Sequence, residues 1–109
     1  MTVKGFSEEN GFSPIVLADP EREICGVYVG DLLSWVMGRA KSDNAWITIM
    51  SNLNVIAVAS LTDVSCVIFA EGVIPDEELM RVAADKGVNL ISTSLSSYDC
   101  AVRISKILK

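Results

Sequence analysis

Apolar residues fall along this chain in two rhythms. Residues 46–50 (WITIM), 64–70 (VSCVIFA) and 88–92 (VNLIS) form near-continuous apolar runs, rich in β-branched and aromatic side chains, as expected of strands covered on both faces. The segments between them are longer and place apolar residues at helical spacing. LLSWVMGRAK predicts a helix with Asp31 as its N-cap, and with Arg39 and Lys41 where cations favour a helix C-terminus. NVIAVASLT predicts a second helix, capped by Asn52 or Asn54. PDEELMRVAADKG predicts a third, with Pro75 in its first turn and Gly87 just past its end. SSYDCAVRISKIL closes the chain as a helix in which Ser96 and Asp99 have capping-box spacing.

The first thirty residues are less regular. SEENGFSPIVLADPEREICGVYVGD reads as a short helix or turn followed by two β segments, residues 14–18 and 24–29, separated by the polar turn DPERE. Apolar strands alternating with helices are the signature of parallel β-α-β units joined by right-handed crossovers. The expected fold class is therefore α/β with a mainly parallel central sheet. One domain is expected over residues 1–109, regular from about residue 26, with no repeat, low-complexity segment or linker.

Composition narrows the function classes. Half of the 109 residues are apolar, enough for a real core. Asp and Glu number 14 against 9 Lys and Arg, and the basic residues are scattered, so nucleic acid is not an expected partner. The longest apolar run, residues 55–61, falls far short of the ~20 residues that span a bilayer. MTVKGFSEENG lacks the layout of a signal peptide, so no membrane partner and a cytoplasmic location are expected. With no His, the chain lacks the commonest zinc ligand and the usual general base. Cys25, Cys66 and Cys100 lie 41 and 34 positions apart, with no Cys-x-x-Cys pair and an odd count. Neither a metal site, a bound cofactor nor a disulfide framework is expected. Cys66 reads as a small buried hydrophobe, and Trp35 and Trp46 as core or interface aromatics.

The stretches GVYVGDLLSWVMGRA, WITIMSNLNVIAVASL and VIFAEGVIPDEELMRVAADKGVNLISTSLSSYDCAVRI together resemble the DRTGG domain family over at least the last eighty residues. The resemblance implies a three-layer α/β/α domain similar in fold to the N-terminal domain of HPr kinase/phosphorylase, without that enzyme's catalytic module. It also implies a regulatory accessory role. Such domains occur beside CBS domains or phosphotransacetylases, and as stand-alone proteins near iron-only hydrogenases and related redox proteins; YVGDLLSWVMG and NVIAVASL look closest to the stand-alone type. Met50, Ser51 and Asn52 stand where the family name has Asp-Arg, and Ala70, Glu71 and Gly72 where it has Thr-Gly-Gly. The helix and strand pattern carries the fold inference regardless.

Candidate chemistry concentrates where strands end. The turn at Gly72 leads into Pro75 and the acids Asp76, Glu77 and Glu78, whose charges oppose a phosphate at that helix start. No P-loop motif occurs, so kinase activity is not expected. In open parallel sheets, ligands bind beyond the carboxyl ends of the strands, where strand order reverses. Ser51, Asn52, Asn54, Glu71, Gly72, Ser92, Thr93 and Ser94 are the candidate ligand-binding residues, suited to a small polar or adenine-containing molecule. The helix after Asp31 and the C-terminal helix both carry more apolar residues than one sheet covers, so Leu33, Trp35, Met37, Ile104 and Ile107 are candidates for a homodimer interface. The function expected is a non-catalytic regulatory or interaction domain that senses a ligand or serves a hydrogenase or other redox enzyme. The alternative is a small enzyme or redox sensor using Asp31, Glu71 or Cys100.

Overall fold

The computed structural model of the chain describes residues 1–108. In chain order the elements are α1 (Val3–Ser7), β1 (Phe12–Val16), β2 (Val27–Val29), α2 (Leu33–Arg39), β3 (Ala45–Thr48), α3 (Asn54–Thr62), β4 (Cys66–Phe69), α4 (Glu77–Lys86), β5 (Leu90–Thr93) and α5 (Ser97–Ile107). They build one five-stranded sheet in the order β1-β5-β4-β3-β2. Strands β2 to β5 are parallel and adjacent in sequence order, and β1 joins antiparallel at the β5 edge. Pro14 is tolerated in β1 because this is an edge strand, and the register shifts between Pro14 and Val16.

Every residue of β3, β4 and β5 is buried, which explains their unbroken apolar runs. Side chains alternate between two cores. On one face Trp46, Val67, Phe69 and Leu90 pack with Val36 of α2, Val55, Ile56 and Ala59 of α3, and Leu79 and Ala83 of α4. On the other, Ala45, Ile47, Cys66, Ile68 and Ile91 pack with Val3 and Phe6 of α1 and with Cys100 and Ile104 of α5. The result is a three-layer α/β/α sandwich.

The amino ends of the strands are bolted by polar residues. Asn44, Ser65 and Asn89 each immediately precede β3, β4 or β5, and each is buried. Asn44 donates to the Cys25 carbonyl at 3.1 Å, and Ser65 donates to that of Glu23. Asn89 accepts from the Asp19 amide at 2.8 Å and donates to the carbonyls of Asp19 (2.8 Å) and Ser65 (2.9 Å). Arg22 adds contacts to Asp43 (2.8 Å) and Asp63 (3.0 Å). The irregular segment between β1 and β2 is thus stitched across this end of the sheet. Gly26 belongs to that seam: it has φ of 96°, and a Cβ there would lie 2.9 Å from Asn44 Nδ2.

Several local expectations are corrected. The N-terminal helix lies at Val3–Ser7, ending on the first residue of SEENG, and Thr2 Oγ1 accepts from the Gly5 amide at 3.0 Å at its start. The β segments fall at Phe12–Val16 and Val27–Val29, because residues 24–26 are drawn into the seam. Asp31 does not cap α2. Its carboxylate accepts from the Thr48 hydroxyl at 2.8 Å and the Ile49 amide at 2.9 Å, and Leu32 takes the cap position without a side-chain bond. Pro75 lies ahead of α4, whose cap is Asp76, accepting from the Leu79 amide at 2.9 Å. Neither Asn52 nor Asn54 caps α3: Leu53 takes the cap position without a side-chain bond, and Asn52 accepts from the Asn54 amide at 2.9 Å in the turn ahead of it. Of the predicted capping box, the Ser96 half is made, to the Asp99 amide at 3.0 Å.

Candidate functional site

After β4 the chain crosses to α4 on one face of the sheet, and after β5 it crosses to α5 on the other. The carboxyl ends of these adjacent strands therefore diverge, forming the switch point at which open α/β sheets bind ligands. The chain leaving β3 crosses to α3 on the same face as α4, so the β3 end is not part of this opening.

The turn leaving β4 is tight. Glu71 and Gly72 both have left-handed φ, 61° and 77°, and the Val73 amide closes the turn onto the Ala70 carbonyl at 3.2 Å. Gly72 adopts this conformation freely, whereas a residue with a Cβ pays roughly 1–2 kcal/mol for it. Glu71 is held there by its amide, which donates to the Leu95 carbonyl at 2.8 Å, while the Gly72 amide donates to Thr93 at 3.0 Å. The Glu71 carboxylate reaches the Ser97 amide at 3.4 Å and so places negative charge at the start of α5.

Beside this turn opens a cleft of about 350 Å³, lined by Gly11, Phe12, Ser13, Gly72, Ile74, Ser92, Thr93 and Ser94. None of these side chains is ionisable. Thr93 is committed to structure, its hydroxyl donating to the Gly11 carbonyl at 2.7 Å and accepting from the Leu95 amide at 3.1 Å.

The cleft gathers four of the eight candidate ligand residues, Gly72, Ser92, Thr93 and Ser94. Glu71 sits beside it at the α5 start. Ser51, Asn52 and Asn54 belong to the β3 end and the start of α3, and do not line it. Ile74 and, from β1 and the turn before it, Gly11, Phe12 and Ser13 complete the lining; the β1 residues are not among the candidates because nothing local in GFSP shows that β1 returns to pair with β5.

The enzyme candidates are not brought together. Asp31 and Glu71 are both exposed, the former at the β3 end and the latter at the β4 turn. Cys100 lies under α5 in the core, where burial pushes its thiol up to about 11, and Cys66 is pushed up to about 12 by burial and by nearby Cys100. Cys25 is exposed. Among the described residues, no group of three His, Cys, Asp or Glu side chains is arranged to hold a metal ion.

The interface candidates divide. Trp35 is 54% exposed and Met37 is also exposed, beside exposed Val29, Leu32 and Ile49. The Arg39 guanidinium lies 4.0 Å from the Trp35 ring centre. Leu33 and Ile107 are half-buried against the two cores. Ile104 is fully buried and must be withdrawn as an interface residue, because α5 covers the sheet with that side of the helix. A second, apolar groove of about 240 Å³ runs between α3 and α4, lined by Leu53, Ile56, Ala57, Ser60, Val82 and Lys86. Among the described residues, no helix is long and apolar enough to cross a membrane.

A family model for the DRTGG domain matches residues 22–107. Among solved structures, the chain is similar to the CBS and DRTGG domains of the regulatory region of a Clostridium perfringens pyrophosphatase, crystallised with the activator diadenosine tetraphosphate. The TM-score is 0.65 at 16% identity, over 83% of this chain and 40% of that one. The likeness is therefore one of fold, and the chain spans well under half of that structure's length. No curated protein matches the sequence.

Proposed function

Since the chain belongs to the DRTGG domain family, we propose that it is a non-catalytic regulatory domain that senses a small polar or adenine-containing ligand and acts as a homodimer. The observation that carries this reading is the cleft at the β4–β5 switch point. It offers hydroxyls and backbone groups but no ionisable side chain, which suits recognition and supplies no acid, base or nucleophile. Its position in the fold supports ligand binding. An adenine-containing ligand gains support from the similar regulatory region, whose activator carries two adenosines. The exposed apolar residues around Trp35 support self-association through α2. The resemblance to stand-alone DRTGG proteins supports a hydrogenase or another redox enzyme as the regulated partner, and a cytoplasmic location for the pair.

A thermal-shift screen with nucleosides, nucleotides, dinucleotides and small metabolites tests the reading. A ligand at a hundredfold excess over Kd stabilises the folded state by about 2.7 kcal/mol, which raises Tm by on the order of 10 °C for a domain of this size. An empty screen overturns ligand sensing and leaves protein–protein interaction as the function.

A further inference from the structure

Among the described residues, seven buried ones are polar: Ser7, Asn44, Thr48, Ser65, Asn89, Ser92 and Thr93. Six of them make hydrogen bonds inside the chain. Ser92, only 8% exposed, makes none among the described residues, yet no fully enclosed polar side-chain atom lacks a partner. Its hydroxyl therefore opens into the cleft that the residue lines. Register fixes the direction. Leu90 packs on the α4 face and Ile91 on the α5 face, so Ser92 points to the α4 face. Ser13 pairs directly with Ser92 across the antiparallel β1–β5 ladder and shares that face. Directly opposed residues place their Cβ atoms about 5 Å apart. The cleft floor is thus a pair of serine hydroxyls, each able to donate and to accept.

The wall is the connection to α4. Ile74 is largely exposed there, and apart from Gly72 itself and its two chain neighbours no heavy atom lies within 4 Å of where a side chain on Gly72 would begin, so the space over the turn is open. Glu71, Asp76, Glu77 and Glu78 crowd the same connection, and the chain carries a net charge of −5. An anion is repelled from this end of the sheet, and a purely apolar ligand would leave the Ser92 hydroxyl desolvated without a partner.

We infer that the Ser13–Ser92 hydroxyl pair reads the donor–acceptor edge of a neutral planar heterocycle, a nucleobase or nucleoside, whose ring packs on Ile74 and over Gly72. This rests on the ligand-sensing reading above and deepens it by naming the subsite and the part of the ligand held there. Phosphates of a nucleotide would remain outside the cleft.

Amide NMR titration with adenosine, and with tripolyphosphate as the anion control, tests the assignment. Adenosine is expected to move the Ser13, Gly72, Ser92 and Ser94 resonances, and tripolyphosphate to leave them in place. Ser92→Ala and Ser13→Ala should each weaken adenosine binding roughly threefold to tenfold, the worth of one neutral hydrogen bond, with the unfolding temperature unchanged because neither hydroxyl bonds to the protein. Adenosine shifts confined to Ser51–Asn54, or undiminished affinity in Ser92→Ala, overturn the subsite and leave ligand sensing standing. The subsite is equally overturned if millimolar adenosine moves nothing while another compound gives a thermal shift. Failure of every screened compound overturns both.

Discussion

Asn89 is a buried polar side chain that ties the segment after β1 to the sheet, and its removal has a calculable cost. The side chain is 1% exposed and makes three hydrogen bonds, to both backbone groups of Asp19 and to the Ser65 carbonyl. In Asn89→Ala the buried Ser65 carbonyl loses a donor, and leaving such a group unsatisfied costs about 1–3 kcal/mol. The two Asp19 groups are only partly buried and recover water, so each loses a net bond of about 1 kcal/mol. The total is about 4 kcal/mol, a large share of the ~5–15 kcal/mol that stabilises a typical domain. Urea unfolding followed by the fluorescence of Trp46, which is fully buried and bonded to the Gly30 carbonyl at 2.9 Å, should show the midpoint falling by roughly 2 M at an ordinary slope. Asn89→Leu separates bonding from volume, since leucine fills the space but leaves the same three groups unpaired. The reasoning is refuted if Asn89→Leu recovers the wild-type midpoint, or if Asn89→Ala costs less than Asn52→Ala, which removes one exposed turn hydrogen bond worth roughly 1 kcal/mol.

Three further outcomes follow from the same geometry. Iodoacetamide at mildly alkaline pH should label Cys25 alone in the native protein, because Cys66 and Cys100 are buried and remain protonated with thiols at about 12 and 11; three labels by mass spectrometry without denaturant would contradict this. The Ser42 hydroxyl and then Arg22 hold the Asp63 carboxyl below its usual range, so its contribution is present above the unfolded-state value of roughly 3.9 and is lost as pH falls through the folded-state value. Asp63→Asn should therefore flatten the acid limb of the stability–pH curve, and an unchanged limb would show that the contact is not formed in solution. Trp35→Glu should turn a dimer into a folded monomer by light scattering, since the charge must otherwise be desolvated without a partner; a wild-type protein that is already monomeric at micromolar concentration refutes self-association through α2.

Much of this fold is legible in the order of residues, for reasons that differ by element. Strands β3 to β5 announce themselves because burial on both faces removes polar alternation, and Ser96 and Gly87 mark helix ends through local backbone bonds. What is not legible depends on distant partners. Asp31 looks like a cap until Thr48 and Ile49, which arrive from another strand, offer it better bonds. Ile104 looks like surplus apolar surface until α5 is seen lying on the sheet face opposite α2 to α4. Half of the candidate site was visible as polar residues at strand ends, but Ser13 was hidden because its role depends on an antiparallel pairing 79 positions away. A further signal lies in a single polar residue, Asn44, Ser65 or Asn89, standing directly before each of β3, β4 and β5.

That signal separates the two ends of the sheet by purpose. At the amino ends, each buried polar group is matched by a backbone group from the segment between β1 and β2, so this end is closed and its chemistry is spent on stability. At the carboxyl ends the matching stops one group short, at Ser92, where the chains leaving β4 and β5 part to opposite faces. The apolar surface around Trp35 lies at the far edge, beside β2, with three intervening strands between it and β1. At about 4.8 Å per strand step, the two edges are roughly 19 Å apart. A second copy docked on α2 therefore leaves the Ser13–Ser92 floor open, and ligand contacts leave Trp35 untouched. Between the two edges the sheet is filled by the cross-strand rows Trp46, Val67 and Leu90 on one face and Ile47, Ile68 and Ile91 on the other, each wholly buried.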